Sequence, residues 1–304
     1  MTVVPSVAVL ASANFDLVGR AATLPRPGET VLGEGFTTNP GGKGLNQAIA
    51  VARLGGACAT IAAVGDDSFG AGLLAGLAAD GVDTRLVRVV PGPSGVALIA
   101  VDAAGENQIL VAPGANATLT SLTDDELTAI RSAQALLCQL ELPLSAVVQA
   151  ATAARQSGVA VVLNAAPARP LPPDLLAAVD VLVVNRGEAE MLSDAPGTAV
   201  EDLAERLAAL VPRVAITLGP DGVVYRGEGT DLRIPAPVVT AVDATAAGDA
   251  FAGALTVAWL EGRPMAEALQ WACAAGAACA QAPGASASLP DRAAVDQLWA
   301  ATYG

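Results

Sequence analysis

The chain has 304 residues, a formal net charge of −14, 53% hydrophobic but only 3% aromatic residues, and no histidine. The acidic balance excludes a nucleic-acid partner, which needs a dense Lys/Arg surface. The missing imidazole excludes Ser-His-Asp and Cys-His nucleophiles and all His-ligated metals, leaving carboxylates, Lys, backbone amides and hard cations to run any chemistry.

No basic segment precedes the first apolar run, so no secretory leader is expected and the expected residence is cytoplasmic. Residues 6–12 (SVAVLAS) read as a buried strand, and 43–54 (KGLNQAIAVARL) as a helix with apolar positions at helical spacing. Further strands are expected at 58–64, 159–164, 180–184 and 213–218, and helices near 68–79, 143–156 and 199–210. This alternation predicts βαβ units and a mostly parallel sheet covered on both faces. Two segments break the rhythm: 14–38, rich in turn residues, and 94–112, a two-strand pattern around Gly105. They predict a small antiparallel sheet near the carboxyl ends of the main strands, placed to act as a lid or a dimer surface. With no internal repeat or linker, residues 1–304 read as one domain and the lid as an insertion. The last third predicts helices at 247–261, 264–282 and 290–300. Residues 268–290 lack charge, but Ala, Gly, Gln270, Gln281 and the break at Pro283 make them a packed helix and loop, not a membrane span. Cys58, Cys138, Cys273 and Cys279 show no CxxC spacing and read as reduced, buried thiols.

Two glycine-rich helix starts carry the chemistry. In residues 241–253, small side chains at Ala246, Ala247 and Gly248 let a phosphate approach helix-start amides and the positive end of the dipole. Asp249 follows in the first turn, where a carboxylate can accept the proton of an attacking hydroxyl. On spacing alone, an acid that merely answers the helix dipole accounts for Asp249 somewhat better. The second start, Asn39 to Ala48, is not a P-loop, because Gly44 follows Lys43 where Ser or Thr is required. Its glycines 41, 42 and 44 permit close backbone approach to a polar ligand, while Lys43 and Asn46 supply donors.

With both motifs in view, the chain resembles the PfkB carbohydrate kinases over essentially its full length, and within them the ribokinase branch. The resemblance rests on Asn14-x-Asp16, PGET at 27–30, GGKGLNQA at 41–48, GDDSFG at 65–70, GAN at 114–116, QLE at 139–141, NAAPAR at 164–169, Asn185-x-x-Glu188, TLGPDG at 217–222 and AAGDAFAGAL at 246–255. It implies a three-layer αβα sandwich with a small antiparallel β lid, and ATP-dependent phosphorylation of a sugar, ribose foremost. By similarity, Asn14, Asp16, Gly42, Lys43, Asn46 and Glu141 would hold the sugar hydroxyls, with Asp249 as both ligand and base and Ala246, Ala247 and Gly248 as the anion hole. Asn185, the loop Thr217, Leu218, Gly219, Pro220, Asp221 and Gly222, then Gly248 and Cys273, would surround ATP. Glu188 would position Mg²⁺, in part through water. A monovalent cation, usually K⁺, would lie among Asp243, Thr245, Cys279, Ala282, Gly284 and Ser288. Ala244, Ala246 and Cys273 depart from the commoner family residues, and Cys273 leaves the adenine contacts open.

Within the lid segments, 94–112 has no basic residue and 14–38 only Arg20 and Arg26, which disfavours a phosphosugar. Phe15 and Phe36 are their only aromatics, which disfavours a nucleoside. Deoxyribose, fructose, a nucleoside and a non-catalytic sugar-binding role remain open. Exposed strand edges predict a homodimer through the lid.

Overall fold

The structure is a computed structural model that describes residues 4–304. The first three residues, on which the single-domain and leader expectations partly fall, lie outside the described residues. The chain opens with β1 (Ser6–Leu10), β2 (Asn14–Ala21), β3 (Gly33–Gly41), α1 (Lys43–Arg53), β4 (Ala57–Gly65), α2 (Ser68–Ala79), β5 (Asp83–Val90), β6 (Gly95–Val101) and β7 (Asn107–Ala112). It continues through α3 (Asp124–Ser132), β8 (Ala135–Cys138), α4 (Leu144–Gln156), β9 (Ala160–Asn164), α5 (Pro173–Ala178), β10 (Val181–Asn185), α6 (Arg186–Leu192) and α7 (Val200–Ala208). The last part holds β11 (Arg213–Thr217), β12 (Val223–Gly227), β13 (Thr230–Ile234), α8 (Ala247–Leu260), α9 (Met265–Cys279) and α10 (Arg292–Tyr303).

Nine strands make the main sheet, in the order β13-β12-β11-β10-β9-β8-β1-β4-β5. Every pairing from β11 to β5 is parallel, and β12 and β13 close one edge antiparallel. Because strand side chains alternate, Val7 and Val9 of β1 join a core under α1, α8 and α9, while Ala8 and Leu10 join a second core under α4 and α7. The uncharged stretch becomes α9 and a loop, with Trp271, Ala272, Ala274 and Ala275 buried. Among the described residues no helix is long and apolar enough to cross a membrane.

The lid is a four-stranded sheet, β3-β2-β6-β7. Its two hairpins are antiparallel as expected, but β2 and β6 pair parallel in its middle, with Asn14 opposite Gly95. The reason is connectivity: β2 follows β1 and β6 follows β5, so both leave the main sheet from the same end.

The start of α1 is wedged against the segment after β1. A Cβ on Gly44 would stand 2.3 Å from Ala11 Cα and 2.3 Å from Ser12 N, both backbone atoms of a buried segment. Gly44→Ala is therefore expected to cost roughly 3 kcal/mol, the upper range for overpacking a core. Urea unfolding checks this; an unchanged midpoint would contradict the close packing.

Candidate functional site

Strand order reverses at β1, which has β4 on one side and β8 on the other. In such sheets the crevice outside the carboxyl ends at the reversal is where ligands bind. The segments leaving β1 and β8 carry Asn14, Asp16 and Glu141 into that crevice. Asn14 and Asp16 lie two apart on β2 and so share a face, while Phe15 turns away and stacks on Phe69 of α2, with ring centroids 4.7 Å apart. Asn14 is 2% exposed, and its Oδ1 accepts a hydrogen bond from Asn116 Nδ2 at 2.9 Å. Glu141 Oε2 accepts from Ser12 Oγ at 2.7 Å and from the Lys43 amide at 3.1 Å.

The glycines of the α1 start also let the chain pack closely on itself. A Cβ on Gly41 would fall 2.2 Å from Asp16 Oδ2, and one on Gly42, at φ +93°, would fall 2.8 Å from Asn14 N. With Gly44 they let the turn approach the chain's own β1–β2 segment.

Asp249 is 5% exposed in the first turn of α8. Its Oδ2 accepts from Asn46 Nδ2 and its Oδ1 from Gln47 Nε2, each at 3.0 Å. An acid serving only the helix dipole would lie near solvent; this carboxylate is turned inward onto two amides of α1. Burial pushes its pKa up to about 6, with Glu141 adding to the rise and Lys43, Asn46 and Gln47 opposing it. Burial, then Glu141 and Asp249, push Asp16 up to about 7. Burial alone would lower Lys43, but Asp249, Glu141 and Glu188 outweigh it and hold the ammonium above its ordinary value. At neutral pH the crevice thus holds an ionised carboxylate of raised basicity beside a fixed cation, and Asn46 Oδ1 is buried without a partner. A polyol placed there would meet acceptors and donors together.

The raised carboxylates have a stability consequence. A group whose pKa is higher folded than unfolded contributes stability that is full below the unfolded value and is lost as pH rises through the folded value. For Asp16 that loss runs from about 4 to about 7. Asp16→Asn is therefore expected to raise Tm at pH 8 and to leave it nearly unchanged at pH 4 without ligand, as scanning calorimetry checks. An equal effect at both pH values would contradict the buried charge.

At the start of α8, Ala246 adopts φ +63° and no side chain caps the helix. Ala247 N donates to Ala244 O at 3.2 Å, whereas a helix start leaves its following amides without intrahelical acceptors. A Cβ on Gly248 would meet nothing within 4 Å, so open space lies beside it. Beyond β10 and β11, Asn185, Thr217, Leu218, Gly219 and Asp221 line a cavity of about 360 Å³. Pro220 lies in the same short turn, Gly219–Asp221, and Gly222 ends it. Cys273 does not line that cavity: it is buried in α9, and burial pushes its thiol up to about 12, so it stays neutral.

Asn185 and Glu188 form a reciprocal cap on α6. Asn185 Oδ1 accepts from the Glu188 amide, and Glu188 Oε2 from the Asn185 amide, both at 2.8 Å. Burial raises the Glu188 carboxyl, while the Asn185 amide and Lys43 pull it down. The segments around residues 243 and 284 also meet. Asp243 Oδ1 accepts from Thr245 N and Oγ1, and its Oδ2 from Gly284 N at 3.1 Å. Cys279 Sγ lies 3.5 Å from Thr245 O and 3.2 Å from Ser288 Oγ, and Ser288 Oγ donates to Gly284 O at 2.7 Å. Ala282 lies in the same loop, its amide donating to Cys279 O.

Comparison with known proteins agrees with this geometry. A family model described as pfkB family carbohydrate kinase matches residues 4–292. The chain belongs to the pfkB family of carbohydrate kinases. Its chemistry is accordingly phosphoryl transfer to an alcohol oxygen. Among its relatives, ribokinase of Schizosaccharomyces pombe is 41% identical, with 96% of each chain covered. Ribokinase of Haemophilus influenzae is 39% identical over 93% of this chain and 95% of the relative. The structure of Arabidopsis thaliana ribokinase complexed with ribose and ATP superposes with a TM-score of 0.91 at 33% identity, covering 98% of this chain and 99% of that one.

In this carbohydrate kinase the crevice also uses residues that the sequence reading passed over. Ser12, Gln47 and Asn116 hold the expected site residues Glu141, Asp249 and Asn14 from behind, and Gln139 and Asn164 hold Gln47 in turn. Four of them stand inside or beside motifs already quoted, GGKGLNQA, GAN, QLE and NAAPAR. In GGKGLNQA and QLE the expected roles fall on Gly42, Lys43, Asn46 and Glu141, and in GAN and NAAPAR on no residue.

Proposed function

We propose that this carbohydrate kinase transfers the γ-phosphoryl group of ATP to the 5-hydroxyl of D-ribose, giving ribose 5-phosphate and ADP. The observation that carries the reading is the buried Asp249 carboxylate, held by Asn46 and Gln47 at the open start of α8. The full-length similarity to ribokinases supports both substrates, the Arabidopsis relative having been solved with ribose and ATP. Asn14, Asp16, Gly42, Lys43, Asn46 and Glu141 hold the sugar. Asp249 accepts the hydroxyl proton as that oxygen forms its bond to the γ-phosphorus and the bond to ADP breaks. Ala246, Ala247 and Gly248 receive the charge that builds on the transferred group. Asn185, Thr217 to Gly222 and Gly248 surround the nucleotide, with Cys273 buried in α9 rather than lining the cavity.

A small neutral sugar is favoured by the lid: Phe15 is engaged with Phe69, and Phe36 pairs with Gly19 on the Phe15 face, opposite the face of Asn14 and Asp16, so neither shelves a base in the crevice. The donor sets suit the expected ions. Glu188 keeps one carboxylate oxygen beyond its helix cap, enough for a Mg²⁺ ion that retains most of its waters. Asp243 draws the 243–245 and 282–288 segments together, so the carbonyls near Thr245, Cys279, Ala282, Gly284 and Ser288 suit a monovalent ion such as K⁺. When bound, these cations supply positive charge to the phosphates and the anion hole.

Residues 1–304 act as one unit, with the lid as an insertion. The four cysteines are unpaired and buried, which fits the reducing cytoplasm. Leu98, Leu110 and Phe36 expose apolar side chains on one face of the lid, and a second copy would cover it in a homodimer. Mass measurement at micromolar protein tests the dimer, and a monomer would contradict it. An ADP-release assay over ribose, 2-deoxyribose, fructose and adenosine tests the activity. Ribose is expected to have the highest kcat/KM, and absence of ribose-dependent turnover would overturn the substrate.

A further inference from the structure

Behind the crevice runs a chain of side-chain amides, all buried, that the reaction as described does not use. Asn164 Nδ2 donates to the Val183 carbonyl at 3.1 Å, so its Oδ1 must face the other way, toward Gln47. Gln47 Nε2 donates both to Asn164 Oδ1 and to Asp249 Oδ1, each at 3.0 Å. With its donors so committed, Gln47 turns its Oε1 to Gln139 Nε2, which donates to it at 2.6 Å. The backbone carbonyl at one end thus sets the orientation of every amide along the chain, leaving no freedom to flip. Gln47 is 0% exposed and Gln139 1%, so no water replaces these bonds. The chain joins α1, the residue after β8 and the end of β9, and ends on the one carboxylate oxygen that Asn46 does not hold.

We propose that Gln47 is the positioning residue of the base: held by Asn164 and Gln139, its amide fixes the plane of the Asp249 carboxylate so that a free lone pair faces the sugar hydroxyl. The assignment rests on the kinase reading above. A carboxylate held at one oxygen only can rotate about its own axis, and near-attack geometry tolerates little misplacement. The Gln47 bond also favours the ionised carboxylate. The other charged or titratable groups facing Asp249 are Lys43 on α1, Glu141 after β8, Asp16 on β2 and Cys279 on α9, with Glu188 acting on Lys43.

The test is the pH profile of kcat at saturating sugar, with sugar Kd by calorimetry, for the unsubstituted protein, Gln47→Met and Gln47→Glu. Gln47→Met keeps the volume and removes the donor. It is expected to lower kcat about 10-fold with sugar Kd changed less than about 3-fold, and to move the acid limb up by roughly half a unit or more. Gln47→Glu sets a like charge against Asp249 Oδ1 and moves the limb further in the same direction. An acid limb unmoved in both variants, with kcat retained, would overturn the assignment. Should either variant fail to fold, Gln139→Met decides, because it leaves Gln47 in place but frees its carbonyl; an unmoved limb with full kcat there would overturn it equally. Absence of sugar-dependent turnover in the unsubstituted protein overturns the kinase reading itself, and the assignment with it, whereas turnover with an unmoved limb overturns the assignment alone.

Discussion

Asp249→Asn is expected to retain ribose and ATP binding and to lose kcat by roughly 10²-fold or more, the scale on which general bases act. The substitution keeps the side chain's shape but removes its capacity to take a proton. It also presents an NH₂ group to one of two fixed donors, Asn46 Nδ2 or Gln47 Nε2, so a hydrogen bond is lost as well. Burial places the carboxyl at about 6, so it is mostly ionised at pH 7 and still basic enough to drive proton transfer. The wild-type rate is accordingly expected to fall as pH drops through 6, on an acid limb that Asp249→Asn lacks. Steady-state ADP release across pH measures both. Near-normal turnover in the variant would contradict the role.

Lys43→Met is expected to have the next largest effect. The Lys43 ammonium is the cation that opposes the charge of Asp249, Glu141 and Glu188, the carboxylates on the sugar and nucleotide sides of the crevice. Phosphoryl transfer spreads negative charge between those two sides, and a fixed cation there stabilises the transition state more than the ground state. Its loss should lower kcat by about 10²-fold. It should also raise the pKa of Asp249, because Lys43 is the strongest influence opposing burial there. The variant's acid limb should therefore move to higher pH, which a pH series of kcat reads. A fall confined to KM, with the limb unmoved, would contradict this placement.

The two helix starts were legible in the sequence because both depend on local rules. Small residues followed by helical spacing located α1 and α8 to within a residue or two, and the two-residue interval of Asn14 and Asp16 predicted their common face. What remained hidden depends on distant partners. Strand β8, the four apolar residues of Ala135–Cys138, is too short for periodicity to separate strand from helix, although it is an interior strand of the sheet, between β9 and β1. The parallel pairing of β2 with β6 follows from two strands leaving the main sheet at one end, which neither segment encodes alone. Gln47, Gln139 and Asn164 are 117 residues apart at most between bonded partners, and only folding brings them behind Asp249. The α1 glycines illustrate the same limit: a Gly-rich turn signals close approach but not to what, and here its nearest neighbours are the chain's own Asp16, Asn14 and Ala11.

The central claim is that a sugar hydroxyl, the 5-hydroxyl of ribose, lies between Asp249 and the γ-phosphate. The most direct measurement is phosphorus-31 NMR of the product formed from ribose and ATP, with proton coupling retained. The account predicts a single phosphomonoester coupled to the two protons on C5, appearing in step with ADP. Phosphate on any other oxygen, or ADP without a sugar phosphate, would contradict it.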